Sequence, residues 1–251
     1  MHLARETTRS VAEADPEVAV LPVGSTEQHG PHLPLGTDHL VAEAFADALD
    51  RADSVVLPTL PVGVSDHHRQ FHGTLSLSPE TFERAVRETV ASLAEHGTRK
   101  VVLLNGHGGN DDALRRAART LRREETAFAV PWNWWDGYDP ALAEDLLGEG
   151  LGHANAVETS MVLHVARDLV DEERVADAEA TAAESWGREV HGADVGFDTA
   201  DFSEGGAVGT PTAASADAGK QLFDASLAEL TALVDWLAAE PFADLLPEPH
   251  R

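Results

Sequence analysis

The feature that most restricts this chain is an alternation. Short, uninterrupted apolar runs take turns with longer segments whose apolar residues recur every three to four positions. Val18 to Val23 (VAVLPV), Ser54 to Leu57 (SVVL), Lys100 to Leu104 (KVVLL) and Ala127 to Val130 read as buried strands. Helical periodicity covers Asp38 to Leu49, Ser78 to about His96, Asp111 to Arg123, Glu158 to Asp168 and Lys220 to Ala239. Ser78-Pro79-Glu80 is a helix start, with Ser as cap, Pro at the first helical position and an acid in the first turn; Gly97 is the stop. Strands apolar on both faces and separated by helices predict an α/β fold with a mostly parallel sheet covered on both sides. No linker rich in Pro, Gly or Ser interrupts Met1 to Pro131, so the chain reads as one domain, 1–251. Residues 176–209 are acidic and weakly periodic, and are expected to form a long functional loop or a small insertion. The final PEPHR is expected to fray.

Charge limits the partners. Asp and Glu total 44 against 18 Lys and Arg, a formal net charge of −26. A field of that sign repels phosphate backbones and anionic lipid, which argues against nucleic acid and membrane surfaces as partners. The surplus runs through periodic apolar stretches instead of gathering in a tail, so it belongs to a folded surface. Such a surface stays soluble in concentrated salt, where screening shortens self-repulsion, and a halophilic, cytoplasmic protein is the expectation. No apolar run reaches the length of a transmembrane helix, and the opening MHLARETTRSVAEADPE lacks the apolar core of a secretory signal.

In parallel α/β sheets, ligands gather beyond the carboxyl ends of the strands. After the first strand, GSTEQHGPHLPLGTD supplies Glu27, His29 and Asp38, with glycines and prolines that let the segment turn. Asp38 is equally placed to cap the next helix. After the third strand, NGHGGN sets His107 among glycines; it is neither a Walker loop nor a dinucleotide fingerprint. In GHANAVETS, His153 and Glu158 stand five apart. They reach one site only if His153 lies in the loop and Glu158 in the first helical turn, where helix polarity also favours an acid. His67, His68 and His72 crowd six residues, and at least two are expected at the surface. Trp132, Trp134 and Trp135 read as core, with a pocket wall as the alternative.

The chain has no cysteine, so any metal must be held by imidazole nitrogen and carboxylate oxygen. Three carboxylates and two imidazoles suit two divalent cations of the Zn, Mn or Fe kind. One carboxylate can bridge cations about 3.5–4 Å apart, which acidify a water and polarise a carbonyl. A further imidazole can then protonate the leaving nitrogen. The arrangement is suited to hydrolysing a C–N bond.

These motifs together resemble the creatininase (creatinine amidohydrolase) family. The likeness is carried by GSTEQHGPHLPLGTD, HHRQFHGTLSLSPETF, NGHGGN, HANAVETS and GAVGTPTAASADAGK, in order from about Leu21 to Phe223. The resemblance implies a three-layer α/β/α sandwich, hexameric assembly and a binuclear metal centre. It makes Glu27, His29, Asp38 and His107 metal ligands, with Asp38 bridging. It makes His153 the imidazole that moves a proton during catalysis and Glu158 an acid of the same motif. Creatininase proper carries a metal-binding Glu where this chain has Gly109, so Glu158 is expected to take that ligand's place. Asn155 and Ala156 stand where the family usually has Gly and Glu. The expected activity is therefore hydrolysis of a small cyclic or linear amide, with the particular amide open. One alternative is a deformylase acting on a formylated ribosylaminopyrimidine phosphate, with Arg69 and Arg188 as candidate phosphate contacts. The non-enzyme alternative is an inactive metal-binding scaffold. The family also includes peptide-trimming and cyclic-sugar hydrolases.

Overall fold

The computed structural model describes residues 1–49 and 51–248. In chain order the elements are α1 (Thr8–Ala14), β1 (Val18–Val23), α2 (Thr37–Ala48), β2 (Ser54–Val56), α3 (Pro79–Ala94), β3 (Lys100–Asn105), α4 (Asp111–Arg123) and β4 (Phe128–Asn133). There follow α5 (Pro140–Leu147), α6 (Ala156–Val165), α7 (Val175–Ala180), the hairpin strands β5 (Glu189–Val190) and β6 (Ala193–Asp194), α8 (Ala216–Ala239) and α9 (Phe242–Leu245).

Strands β1 to β4 form one parallel sheet in the order β2-β1-β3-β4. Val23 at the end of β1 stands opposite Asn105, which stands opposite Asn133, so these strands finish level with one another. Side chains alternate across the sheet. Val18, Val20, Val102 and Leu104 face Phe45 of α2, Met161 of α6 and Leu222 and Leu230 of α8. Ala19, Leu21, Val101 and Leu103 face Phe82 and Val86 of α3 and Leu114 and Leu121 of α4. Two cores on opposite faces of one parallel sheet make a three-layer α/β/α sandwich. Each fully buried Leu or Phe contributes about 1.5–3 kcal/mol, so both layers hold the central strands firmly.

Caps explain where boundaries differ from the sequence expectation. Helix α6 begins at Ala156, before Glu158, because the Asn155 side-chain oxygen accepts from Val157 N and Glu158 N. It stops at Val165, and a 3-10 turn spans Arg167–Leu169. Helix α8 begins at Ala216, before Lys220, because Ser215 Oγ accepts from Ala218 N. Strand β4 continues past Pro131 to Asn133, which its place at the sheet edge permits.

The 176–209 segment holds most of α7, the small β5–β6 hairpin and a 3-10 turn at Thr199–Asp201. The Asp198 carboxylate accepts from Arg69 Nη1 at 2.9 Å and from Gln70 Nε2 at 2.6 Å, which ties this segment to the loop after β2. No helix among the described residues is long and apolar enough to cross a membrane. Of the PEPHR end, residues 249–251 lie outside the described residues.

Candidate metal centre

The carboxyl ends of the strands lead into four connections, and the acidic and imidazole side chains of the sequence analysis converge there. Glu27, His29, Asp38, His107, His153 and Glu158 are all buried. Asp38 sits in the first turn of α2, but the helix is entered through Gly36 without a side-chain cap. The capping role open in the sequence is therefore not the one Asp38 takes. Its Oδ1 lies 3.0 Å from His29 Nε2 and its Oδ2 lies 3.2 Å from His107 Nδ1. His153 lies before α6 and Glu158 in its first turn, and His153 Nδ1 comes within 3.9 Å of Glu158 Oε2. Gly106 allows the close approach: a Cβ there would stand 2.1 Å from the Asp38 carbonyl oxygen.

Two rings are oriented by backbone carbonyls, which can only accept a hydrogen bond. His29 Nδ1 donates to Glu27 O at 3.2 Å and His107 Nε2 to Val64 O at 2.9 Å, while His153 Nε2 lies 2.8 Å from both the Gln28 carbonyl oxygen and the Gln28 side-chain amide nitrogen. The His29 and His107 rings then turn a lone-pair nitrogen towards the carboxylates. An imidazole anchored through one nitrogen and free at the other is the usual support of a metal-ligating histidine.

The charges respond to this crowding. Burial alone would lower His29, but Asp38, Glu158 and Glu27 outweigh it and raise its pKa to about 10. His107 rises to about 9, because Glu27 and Asp38 overcome the same burial cost. Burial would raise Glu27, but His107, His68 and His153 hold it well below the usual carboxylate range. Burial lifts Glu158 to about 7. Burial, with His29 and His68 nearby, pushes His153 well below the usual imidazole value. The carboxylates thus stabilise positive charge at the centre of the cluster.

The donors fit divalent cations. Both Glu27 oxygens, Asp38 Oδ2 and His29 Nε2 are buried without a hydrogen-bond partner. Buried carboxylate oxygens are seldom left so. Ligand atoms of Glu27, His29 and His153, of Glu27, His67 and His107, and of His29, Asp38 and Glu158 each lie within 4.8 Å of one another. The donor set of carboxylate and imidazole without thiolate suits Zn, Mn or Fe.

Of the three neighbouring histidines, at least two of which are expected at the surface from sequence, only one is exposed. His72 is exposed, but His68 is wholly buried and His67 is half-buried. The 3-10 turn at Asp66–His68 rotates these two rings inward. His68 Nδ1 accepts from Gln28 Nε2 at 2.8 Å, and its other nitrogen faces Glu27 Oε1 at 3.2 Å. Nothing in the sequence singles out Gln28, since an amide neither titrates nor commonly binds metal. The tryptophans divide: Trp134 is core, while Trp135 lines a cavity of about 350 Å³ above the cluster together with Leu151 and Trp186. Trp186 lies 5.8 Å from the His153 ring.

The family model for creatinine amidohydrolase matches residues 4–234. The chain belongs to the creatininase family. It is 36% identical over 230 residues to a mycofactocin precursor peptide peptidase of Mycolicibacterium smegmatis, covering 88% of this chain and 85% of the relative. It is 34% identical over 178 residues to the creatinine amidohydrolase of Pseudomonas putida, covering 64% of this chain and 68% of that one. A solved Zn-Zn form of a mutant creatininase superimposes with a TM-score of 0.76 at 27% identity, over 95% of this chain and 98% of that one. This creatininase-family chain is accordingly an amidohydrolase.

Proposed function

We propose that this amidohydrolase uses a binuclear centre to cleave a linear amide, with a peptide bond near a chain end as the second substrate reading. The observation that carries the binuclear reading is Asp38, which directs one oxygen to His29 and the other to His107. Glu27 and His107 would hold one cation and His29 and Glu158 the other, with Asp38 between. Cations bound there would supply Lewis acidity for the amide carbonyl and for a water.

His153 is placed to carry the proton. Its Nδ1 is 3.9 Å from both Glu27 Oε1 and Glu158 Oε2, and its Nε2 lies 2.8 Å from the Gln28 carbonyl oxygen. That orientation suits delivery of a proton from the carboxylate cluster to a departing amine. Glu158 Oε2 accepts from Ala154 N at 2.5 Å, which fixes the carboxylate beside that path. Trp135, Leu151 and Trp186 supply apolar walls, and a cavity of about 350 Å³ exceeds what one compact ring fills. The peptide reading is favoured by the peptidase relatives. Among the described residues no Arg or Lys lines the cavity, so a phosphate-bearing substrate finds no basic side chain in its wall. Arg69 is instead engaged by Asp198, and Arg188 lies exposed outside that wall.

The test measures metal content together with hydrolysis of creatinine, linear formamides and short peptides, for the wild type and Asp38→Ala. Two ions per wild-type chain, fewer in the variant and amine release abolished with them are expected. An Asp38→Ala protein that keeps two ions and full activity refutes the reading.

A further inference from the structure

We propose that His67 is a ligand of the cation held by Glu27 and His107, an inference that rests on the binuclear reading above. Sequence alone does not say which of His67, His68 and His72 turns inward, and the turn at Asp66–His68 brings His67 to the cavity wall. One of its ring nitrogens, a Glu27 oxygen and a His107 nitrogen all lie within 4.8 Å of one another. The His67 and His107 rings lie nearly parallel, 7° apart in plane, with centroids 5.7 Å apart.

Two independent observations point to a cation between them. Glu27 is 1% exposed, and neither of its oxygens has a hydrogen-bond partner. Gly109 supplies the second. A Cβ at 109 would stand 2.2 Å from the Val64 carbonyl oxygen, 2.4 Å from His107 Nε2 and 3.1 Å from His67 Cε1. The adjacent Gly108 has nothing within 4 Å of the same construction. Glycine at 109 therefore leaves room for the Val64 carbonyl, which holds His107, and for both rings. A side chain there would displace them.

His68 does not compete for this role. Its Nδ1 accepts from the Gln28 amide, so its remaining nitrogen carries hydrogen and has no lone pair to offer a cation. The assignment makes the two positions unequal. One has His29, Asp38 and Glu158; the other has Glu27, Asp38, His107 and His67. Three protein donors leave a position for water or substrate, whereas four fill a tetrahedral shell. The His67 position is thus the structural one, and the Glu158 position the one that meets the amide.

The experiment is a competition of wild type, His67→Ala and His67→Gln against graded chelator, with Zn²⁺ and then Co²⁺ as probes. His72→Ala is the exposed control, and circular dichroism reports folding. Loss of an outer partner alone weakens metal sites about 10–100-fold. Loss of a direct ligand in His67→Ala should therefore weaken one of two ions at least tenfold, leave the other in place and alter the Co²⁺ visible spectrum. His67→Gln keeps much of the volume, so it reads the same loss should the alanine variant fold poorly. Wild-type affinity for both ions and an unchanged Co²⁺ spectrum in both folded variants would overturn the proposal. A wild type holding a single ion that His67→Ala weakens would overturn the binuclear reading and leave His67 a ligand.

Discussion

Replacing Gly106 by Ala tests whether the site depends on close contact between β3 and α2. The added Cβ would fall 2.1 Å from the Asp38 carbonyl oxygen and 2.8 Å from the Asp38 carbonyl carbon. That is more than an ångström inside ordinary contact, and the obstructing atoms are backbone. No rotamer change relieves it, so the first turn of α2 must move and carry Asp38 away from His29 or His107. Overpacking of this kind costs about 1–3 kcal/mol. In a domain of this size that lowers the melting temperature by about 2–4 °C for each kcal/mol. A displacement near 1 Å at a catalytic group costs about 100-fold in rate. Gly108→Ala is the matched control two residues away, because its Cβ meets nothing within 4 Å and its φ is not positive. It should be neutral or stabilising by about 0.4–1 kcal/mol. Calorimetry and metal analysis of the two variants decide the matter. Equal melting temperatures and equal metal content, or a Gly108→Ala protein damaged as much as Gly106→Ala, would refute the argument.

Two further predictions concern conditions. Burial, followed by the nearby His29, lowers His32 to about 4, and its Nε2 bonds Thr159 Oγ1 at 2.8 Å. Its folded pKa lies below the unfolded value of about 6.5, so its stabilising effect is present above that value and fades as pH falls towards 4. Within that window unfolding free energy should fall by about 1.4 kcal/mol per pH unit more in the wild type than in His32→Gln; parallel denaturation curves would refute this. With a net charge of −26, the melting temperature should rise by several degrees between about 0.1 M and 1 M salt, as the screening length drops from about 10 to 3 Å. A flat or falling salt dependence would count against the halophilic reading.

The sheet is legible in the sequence because β1 and β3 are covered on both faces and so read as continuous apolar runs. Glu27, His29, Asp38 and His107 are legible as candidates because they follow β1 and β3, where a parallel sheet gathers polar groups, whereas His153 and Glu158 stand between α5 and α6 and are legible from the GHANAVETS motif. The place of Asp38 is not legible, since an acid in a first helical turn serves a cap as well as a ligand, and only the structure shows that it makes no cap and lies beside His29 and His107. His67 and His68 are obscured because adjacent loop residues carry no periodicity to say which points inward. Helix α5 escapes the sequence reading although Asp139, Pro140 and Gly148 mark its ends. The β5–β6 hairpin offers no such signal, because two-residue strands of Glu189–Val190 and Ala193–Asp194 are too short for alternation to register.

The donors come from chain segments as far apart as Glu27 and Glu158. A nascent chain halted before α6 would already carry Glu27, His29, Asp38 and His107 yet lack the last carboxylate. With these residues as ligands, ion occupancy would serve as a readout that the connections after β1 and β3 and the start of α6 have come together.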